Sequence, residues 1–169
     1  TLFPYTTLFR SVDAVRHAAR AVRRLLDELE VTSRLKTSGS AGFHVHLPLD
    51  GSADWEASSR LARALAETVC ERHPDQLTTS QRKQPRSGRV FVDWLRNSYG
   101  QTSVAAYSVR ARPGAPVATP IDWDELGSVT PRSYGVRNLF RRLGQRDDPW
   151  RSAPEPASAA EVTERLEAL

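Results

Sequence analysis

The sequence predicts an α/β protein of the α+β type, in which a mixed, largely antiparallel sheet is flanked by helices. Two long segments carry apolar residues at three- and four-residue steps, which is the period of an amphipathic helix. Short runs rich in Val, Leu and Phe, bounded by Gly, Pro and Asp, have the pattern of strands. With 169 residues the chain is long enough for one domain with a hydrophobic core.

The individual elements follow from local patterns. A first helix from Val12 to Glu30 places Val15, Val22 and Leu29 on one face and its arginines on the other. Strands are predicted at Val31–Lys36 and Phe43–Leu49, followed by a helix from Ala53 to Arg72 that Ser52 caps and that turns Trp55 inward. A further strand ends at Asp93, with Thr102–Tyr107 as its hairpin partner. A helical turn from Asn138 to Leu143 and a terminal helix from Ala159 to Leu169, docked by Val162, Leu166 and Leu169, complete the prediction.

Composition narrows the class of protein. A formal net charge of +4 suits a polyanionic partner without establishing one. Cys70 is the single cysteine, so no internal disulfide can form, which fits a reducing compartment. No run approaches membrane-spanning length and no secretory signal is visible, so we expect no membrane association and a cytoplasmic location.

The first eleven residues do not fit the rest. The segment from Thr1 to Ser11 is similar to the translation of a common sequencing-adapter oligonucleotide joined to a truncated reading frame. We therefore expect residues 1–11 to be an artefact that packs poorly and whose deletion leaves stability unchanged, and we expect the natural protein to begin upstream.

The stretch from Lys36 to Val45 has the pattern of a tight turn between two strands. Glycines let backbone N–H groups converge into an anion-binding nest, and Lys36, Ser38, Ser40 and His44 add side-chain donors. These features favour a phosphate-bearing ligand, and an ordinary hairpin remains the alternative. The stretch is not a P-loop, because no Gly-Lys-Ser/Thr closes it.

A buried carboxylate ends the next apolar run. Asp93 follows Val90, Phe91 and Val92, and an acid at the end of a buried strand is unfavourable unless a cation neutralises it. An ion pair with a neighbouring arginine and a divalent-metal ligand both satisfy this requirement.

Two further segments are rich in cations. Arg110 and Arg112 alternate on an extended segment, as a fork for phosphate oxygens would. The polar segment from Gln76 to Gly88 is interpreted either as a solvated loop or as a loop that faces DNA. Its basic residues are Arg82, Lys83 and Arg86.

The only Asp-x-Asp of the chain is interpreted as a helix cap. Asp122 follows Pro120, and Glu125 lies three residues after Asp122, which is the spacing of a capping box. Metal ligation by Asp122 and Asp124 is the alternative.

Taken together and in this order, these blocks resemble the polymerase domain of bacterial DNA ligase D. That family belongs to the archaeo-eukaryotic primase superfamily and serves end-joining repair. The resemblance covers roughly Val12 to Trp150, and it implies a partial primase-like domain at 12–150 and a linker with a terminal helix at 151–169. The matching blocks are Lys36-Thr-Ser-Gly with Gly42-x-His44-Val, Val-Phe-Val-Asp93-Trp-Leu-Arg96-Asn, Tyr107-Ser-Val-Arg-Ala-Arg-Pro-Gly-Ala-Pro, and Trp123-Asp-Glu-Leu126.

The resemblance implies nucleotide transfer to a primer 3′-hydroxyl with two divalent metals, Mn or Mg, and with ribonucleotides tolerated. Asp93 matches a metal-binding carboxylate, and His44 joins it as a catalytic candidate. The implied nucleotide-binding residues are Ser38, His44, Arg96 and Arg110, with Lys36 by proximity and Arg112 as a weaker match; the implied DNA-binding residues are Arg82, Lys83 and Arg86.

The implied partners are DNA ends or a primer-template, ligase and nuclease domains of the same parent chain, and a Ku-type end-binding protein at the nucleoid. The family supplies two more carboxylates from an Asp-x-Asp strand upstream of the Ser-Gly turn, and this sequence has none in that context. We therefore expect the fragment to be inactive as a polymerase. The alternatives are a non-catalytic, Arg-rich nucleic-acid-binding module and a phosphate-binding regulatory module.

Overall fold

The computed structural model describes residues 2–5, 11–82 and 88–169. Within these ranges the chain forms short strands and helices. In order they are β1 (Phe3–Tyr5), α1 (Val12–Glu28), β2 (Arg34–Thr37), β3 (Phe43–His46), α2 (Trp55–Arg72), β4 (Leu77–Thr78), β5 (Val90–Asp93), β6 (Pro120–Ile121), a 3₁₀ helix (Trp123–Gly127), α3 (Leu139–Gln145) and α4 (Ala159–Glu167).

The strands form two small sheets. The first has the order β3–β2–β6 with both pairs antiparallel, and the second has the order β1–β5–β4 with β1–β5 antiparallel and β4–β5 parallel. Leu2 joins the two sheets, because its backbone exchanges hydrogen bonds of 2.8 and 2.9 Å with Val45 of β3. This mixed, largely antiparallel arrangement with flanking helices confirms the predicted fold class.

The core lies between the helices and the sheets. The face of α1 that carries Val15, Val22 and Leu25 is buried, and it packs against β3, β5 and α2. Leu61 and Leu65 are buried on α2. The apolar periodicity of both helices therefore predicted the faces that they bury. None of the helices in the described ranges is both long enough and apolar enough to cross a membrane.

Two details of α2 differ from the prediction. The cap is Asp54 rather than Ser52, since the Asp54 carboxylate accepts the N–H of Ala57 at 2.7 Å. Trp55 is 60 % exposed rather than inward, because it lies at the first helical residue, before the apolar face begins at Leu61, and its ring contacts Tyr99 instead.

The start of the chain also differs from expectation. Leu2 is only 5 % exposed, so the expectation that residues 1–11 pack poorly is wrong for Leu2, and residues 3–5 pair with β5 as a strand. Residues 6–10 lie outside the described ranges. The hydrophobic character of the segment is the physical reason, because an apolar strand can complete a sheet edge whatever its origin.

At the other end of the chain, α4 docks on α2 through Ala159 and Val162. Leu166 is partly buried, whereas Leu169 is 61 % exposed and does not dock as predicted, because α4 ends at Glu167.

The 3₁₀ helix is fixed by a buried ion pair. The Glu125 carboxylate accepts the N–H of Asp122 at 2.9 Å, as the predicted capping box requires, and it accepts two guanidinium N–H groups of Arg142 at 2.5 and 2.7 Å. Both side chains are 7 % exposed. This pair therefore joins the 3₁₀ helix to α3.

We predict that Glu125→Gln lowers the free energy of unfolding by about 3 kcal/mol, because the Arg142 charge stays buried without its counter-ion. Urea denaturation measures the change. Asp124→Asn is the matched control, since Asp124 is exposed in the same helix, and its effect should stay within about 0.5 kcal/mol.

The effect should depend on pH. Burial alone would raise the pKa of the Glu125 carboxyl, but hydrogen bonds from Arg142 and the Asp122 N–H hold it below its ordinary value. A carboxyl with a lowered pKa in the folded protein adds stability that is present above its unfolded pKa and lost as the pH falls through the folded pKa. The difference between the wild type and Glu125→Gln should therefore shrink below about pH 4. A difference that stays constant down to pH 2 would contradict this assignment.

Candidate functional site

A polar cleft of about 320 Å³ lies beside the turn between β2 and β3. Its described lining combines hydroxyl groups, two guanidinium groups and one imidazole, and it includes no carboxylate. The lining residues are Ser38, Ser40, His44, Arg96, Thr102, Ser103, Val104 and Arg110. Four of the six predicted nucleotide-binding residues, Ser38, His44, Arg96 and Arg110, thus meet in one cleft.

The Ser38 hydroxyl organises the turn from within. Its oxygen accepts the N–H groups of Ser40 and Gly42, both at 3.1 Å, and the Ser38 N–H donates to the Gly42 carbonyl at 3.0 Å. The backbone N–H groups of Ser40 and Gly42 are therefore already bound, so the prediction of a backbone anion nest is wrong for them. The Ser38 O–H retains its proton for donation.

Gly39 lets an arginine reach the cleft. Its φ is +62°, and a Cβ at this position would lie 2.6 Å from Cγ of Arg110 and 3.3 Å from the backbone nitrogen of Ala118. A side chain at position 39 would thus be strained and would displace Arg110. The glycine of the Ser-Gly turn is required for packing as well as for turning.

Lys36 and His44 face each other in the β2–β3 register, and both are buried. The Lys36 ammonium donates to the Val104 carbonyl oxygen. Burial, with a contribution from the charge of Arg110, lowers the pKa of Lys36 to about 8. Burial and then the neighbouring charges of Lys36, His46 and Arg110 lower the pKa of His44 far below its ordinary value. At neutral pH, His44 is therefore neutral and Lys36 is mostly charged.

The segment after β5 closes the cleft on its other side. Arg96 lines the cleft and donates to the Gln101 side chain at 2.9 Å. The prediction that Thr102–Tyr107 forms a hairpin partner of β5 is wrong, because this segment forms no strand ladder. Instead, Thr102 and Ser103 line the cleft, and the sequence reasoning did not select them. Their adjacent hydroxyl groups beside Gly100 were the available signal.

Asp93 and His44 lie in one row across the strands. Leu2 lies opposite Val45, and Phe3 lies opposite Asp93, both in antiparallel register. If the antiparallel pairing of Leu2 with Val45 is continued by one residue, position 3 lies opposite His44. Position 3 therefore lies between His44 on β3 and Asp93 on β5. Residues in one row share a face of a sheet, so His44 and Asp93 lie on the same face, two strand spacings or about 10 Å apart. Asp93 itself is 7 % exposed and accepts the Leu95 N–H at 2.9 Å.

The remaining candidates lie elsewhere or outside the described ranges. Lys36 does not line the cleft but is buried beside it, next to His44. Arg112 and Arg82 are exposed, and neither lines the cleft. Lys83 and Arg86 lie among residues 83–87, which are outside the described ranges.

The described residues do not fit a two-metal centre beside the cleft. Asp93 is one carboxylate, whereas a pair of hard cations requires several oxygen ligands. Within residues 2–5, 11–82 and 88–169, the only group of three or more acidic, His or Cys ligands is Asp122, Asp124 and Glu125. Glu125 is held there by Arg142, and Arg146 lies 3.6 Å away, so this cluster is a capping arrangement.

The fold is that of a polymerase domain. The structure of the polymerase domain from Mycobacterium tuberculosis Ligase D in complex with DNA superposes on 88 % of this chain and 52 % of its own, with a TM-score of 0.77 and 32 % sequence identity. The family model of the LigD primase-polymerase domain matches residues 7–150. The chain therefore belongs to the LigD primase-polymerase domain family.

Full-length relatives are much longer. The chain is 40 % identical over 129 residues to the multifunctional non-homologous end joining protein LigD of Pseudomonas aeruginosa, covering 75 % of this chain and 15 % of that protein. It is 29 % identical over 135 residues to the bifunctional LigD of Bacillus subtilis, covering 79 % of this chain and 22 % of that protein. The chain thus spans a small fraction of the curated relatives that it matches.

We predict that Ser38→Ala lowers the free energy of unfolding by about 1–3 kcal/mol, because the N–H groups of Ser40 and Gly42 lose their acceptor. Ser40→Ala in the same turn is the control, with an expected change within about 0.5 kcal/mol. Denaturant unfolding of the wild type, Ser38→Ala and Ser40→Ala measures these free energies. Equal stabilities would show that the Ser38 hydroxyl does not hold the turn.

Proposed function

We propose that this chain carries the nucleotide-binding half of an end-joining repair polymerase, and that a nucleoside triphosphate binds in the cleft. The observation that carries the proposal is the meeting of Ser38, His44, Arg96 and Arg110 around one polar cavity. Family membership supports it, since relatives are named as end joining proteins and one solved relative is a polymerase domain bound to DNA.

The electrostatics of the cleft favour a polyphosphate. Arg96 and Arg110 each offer a planar fork of N–H donors that matches phosphate oxygens in geometry and charge. Lys36 adds a third cation beside them, and no carboxylate of the described lining opposes an anion. A bound phosphate would raise the pKa of Lys36 again, so binding would keep its ammonium charged.

The neutral side chains orient the ligand. His44 is uncharged at neutral pH, so its imidazole can donate one N–H without requiring a counter-ion. The Ser38 oxygen is committed to the turn, which fixes the hydroxyl and leaves its proton to donate. Thr102 and Ser103 add two exposed hydroxyl groups from the opposite wall.

The chain as it stands binds nucleotide without extending a primer. The family chemistry is nucleotide transfer to a primer 3′-hydroxyl assisted by divalent metals, Mn or Mg, and the described residues offer Asp93 alone as a carboxylate on the shared face. Transfer of this kind depends on positioning and on neutralising charge. The loss of two of three carboxylates should therefore cost several decades of rate, roughly 4 kcal/mol or more.

The partners follow from the parent protein. We propose that the natural protein tolerates ribonucleotides, acts on DNA ends or a primer-template, is joined to ligase and nuclease domains, and works with a Ku-type end-binding protein at the nucleoid. Arg82, Lys83, Arg86 and Arg112 remain proposed contacts to DNA or to the nucleotide.

We predict that His44→Ala and Arg110→Gln each weaken binding of a labelled nucleoside triphosphate about tenfold or more, since each removes a hydrogen bond to a charged group. Arg24→Gln, which removes an exposed arginine of α1 outside the cleft, should leave the affinity within about twofold. Because Lys36 has a pKa of about 8, affinity should fall as the pH rises through that value.

Equal affinity in all of these variants would overturn the nucleotide assignment. Retained binding of nucleic acid with no binding of nucleotide would instead favour the non-catalytic, Arg-rich module.

Positions 3 and 5 offer a direct test of the metal half of the site. They lie on the same face of β1, and position 3 is opposite Asp93. We predict that the double variant Phe3→Asp, Tyr5→Asp gains Mn²⁺ binding, measured from the loss of the free-ion electron paramagnetic resonance signal. It should also gain primer extension with Mn²⁺ and ribonucleotides.

Adding Asp93→Asn to the double variant is the control and should abolish both gains. Comparable primer extension by the unaltered chain would contradict the proposed inactivity, and it would return Asp122 and Asp124 to consideration as ligands.

A further inference from the structure

The segment around α3 carries an unusual density of one charge. Residues 127–146 contain five arginines and no acidic residue. Arg142 is buried against Glu125, and Arg146 lies 3.6 Å from the same carboxylate. The other three arginines take no part in these ion pairs. They are Arg132, Arg137 and Arg141, and all three are exposed.

Apolar groups are exposed between these cations. Phe140 is 78 % exposed, and Leu143, three residues later on the same helix face, is 41 % exposed. Exposed aromatic side chains add little to stability, and aromatic and Arg residues are enriched where proteins bind partners. We call Arg132, Arg137, Phe140 and Arg141 the arginine–phenylalanine surface.

This surface is continuous with the wall of the cleft. Arg132 donates through Nε to the carbonyl of Ser40 at 2.9 Å, and Ser40 lines the cleft. The Val136 N–H donates to the Ala115 carbonyl at 3.3 Å, which joins the surface to the loop that carries Arg110.

A shallow cavity of about 580 Å³ lies at this junction, and Gly114, Gly135 and Arg137 contribute to it. A Cβ at position 135 would lie 3.0 Å from the Gly114 carbonyl oxygen. The two backbone segments therefore touch, and Arg132 and Arg137 line the cavity beside them.

We propose that the arginine–phenylalanine surface binds single-stranded nucleic acid, with a base stacked on Phe140 and phosphates bound by Arg137 and Arg141. The proposal rests on the proposed function, because it names a path by which a strand runs past the nucleotide cleft. Base stacking on an exposed aromatic ring needs an unpaired base, and this favours a single strand over a duplex.

The charge pattern supports the same partner. A nucleic acid strand presents a regular series of phosphates, and exposed arginines without neighbouring carboxylates in the sequence match it. An acidic segment of a second copy of this chain is the competing occupant, and the experiment separates the two.

The test uses a fluorescently labelled oligothymidine of about 16 nucleotides, the upper end of common site sizes, titrated with the whole chain at several salt concentrations. Phe140→Ala should weaken binding about tenfold. Tyr99→Ala is the matched control, because Tyr99 is 82 % exposed but lies in a different segment, and its affinity should stay within about twofold.

The charge contribution is measured separately. The double variant Arg137→Gln, Arg141→Gln should reduce the slope of log affinity against log salt by about 1.4, since each phosphate contact on a single strand contributes about 0.7. The pair Arg24→Gln, Arg60→Gln makes the same change of net charge on α1 and α2 and should leave the slope unchanged. Circular dichroism checks that each variant is folded.

Equal effects of Phe140→Ala and Tyr99→Ala, or no measurable binding by the wild type at low salt, would overturn the proposal. Loss of self-association in Phe140→Ala with unchanged oligonucleotide affinity would assign the surface to a protein partner and overturn it as well. Nucleoside triphosphate binding, measured in parallel, should be unchanged in Phe140→Ala, so failure of the cleft assignment can be told from failure of this one.

Discussion

The buried ammonium of Lys36 is the interaction on which the cleft depends. It lies within the first sheet, opposite His44, and it donates to the carbonyl of Val104. A buried cation without an acceptor is strongly unfavourable, so this hydrogen bond holds the segment that follows β5 against β2. Burial lowers the pKa of His44, and the Lys36 charge lowers it further, so the imidazole stays neutral. One buried cation therefore shapes the cleft and adds to the effect of burial on His44.

A second buried charge lies at the edge of the first sheet. The Glu125–Arg142 pair joins the 3₁₀ helix to α3, and Arg142 also donates to the Pro120 carbonyl at 3.2 Å, at the edge strand of the first sheet. The acidic cluster at Asp122–Glu125 is thus used for packing. The surrounding segment, from residue 127 to 146, keeps its remaining arginines exposed.

Strand β1 extends the sheet architecture, but its sequence offers no carboxylate. Strand β1 pairs with β5, which carries Asp93, and the preceding residue Leu2 pairs with Val45 of β3, so backbone pairing runs from β5 to β3. The residues at positions 3 and 5 are Phe and Tyr, which cannot ligate a hard cation as carboxylates do. Backbone pairing depends on main-chain hydrogen bonds and apolar character, whereas metal ligation depends on specific side chains. A strand can therefore complete a sheet without supplying metal ligands.

The sequence by itself determined the two long helices, the β2–β3 turn and the capping box, because each depends on local periodicity or local turn chemistry. Its short motifs, through the family resemblance, selected Ser38, His44, Arg96 and Arg110, which line one cleft. Tertiary structure alone decided three other features. The Ser38 hydroxyl binds the N–H groups of the turn, Thr102 and Ser103 line the cleft instead of forming a hairpin, and Leu2 enters the core while residues 3–5 pair with β5. These outcomes depend on contacts between residues far apart in sequence, and on competition among acceptors for the same donors, which no local pattern encodes.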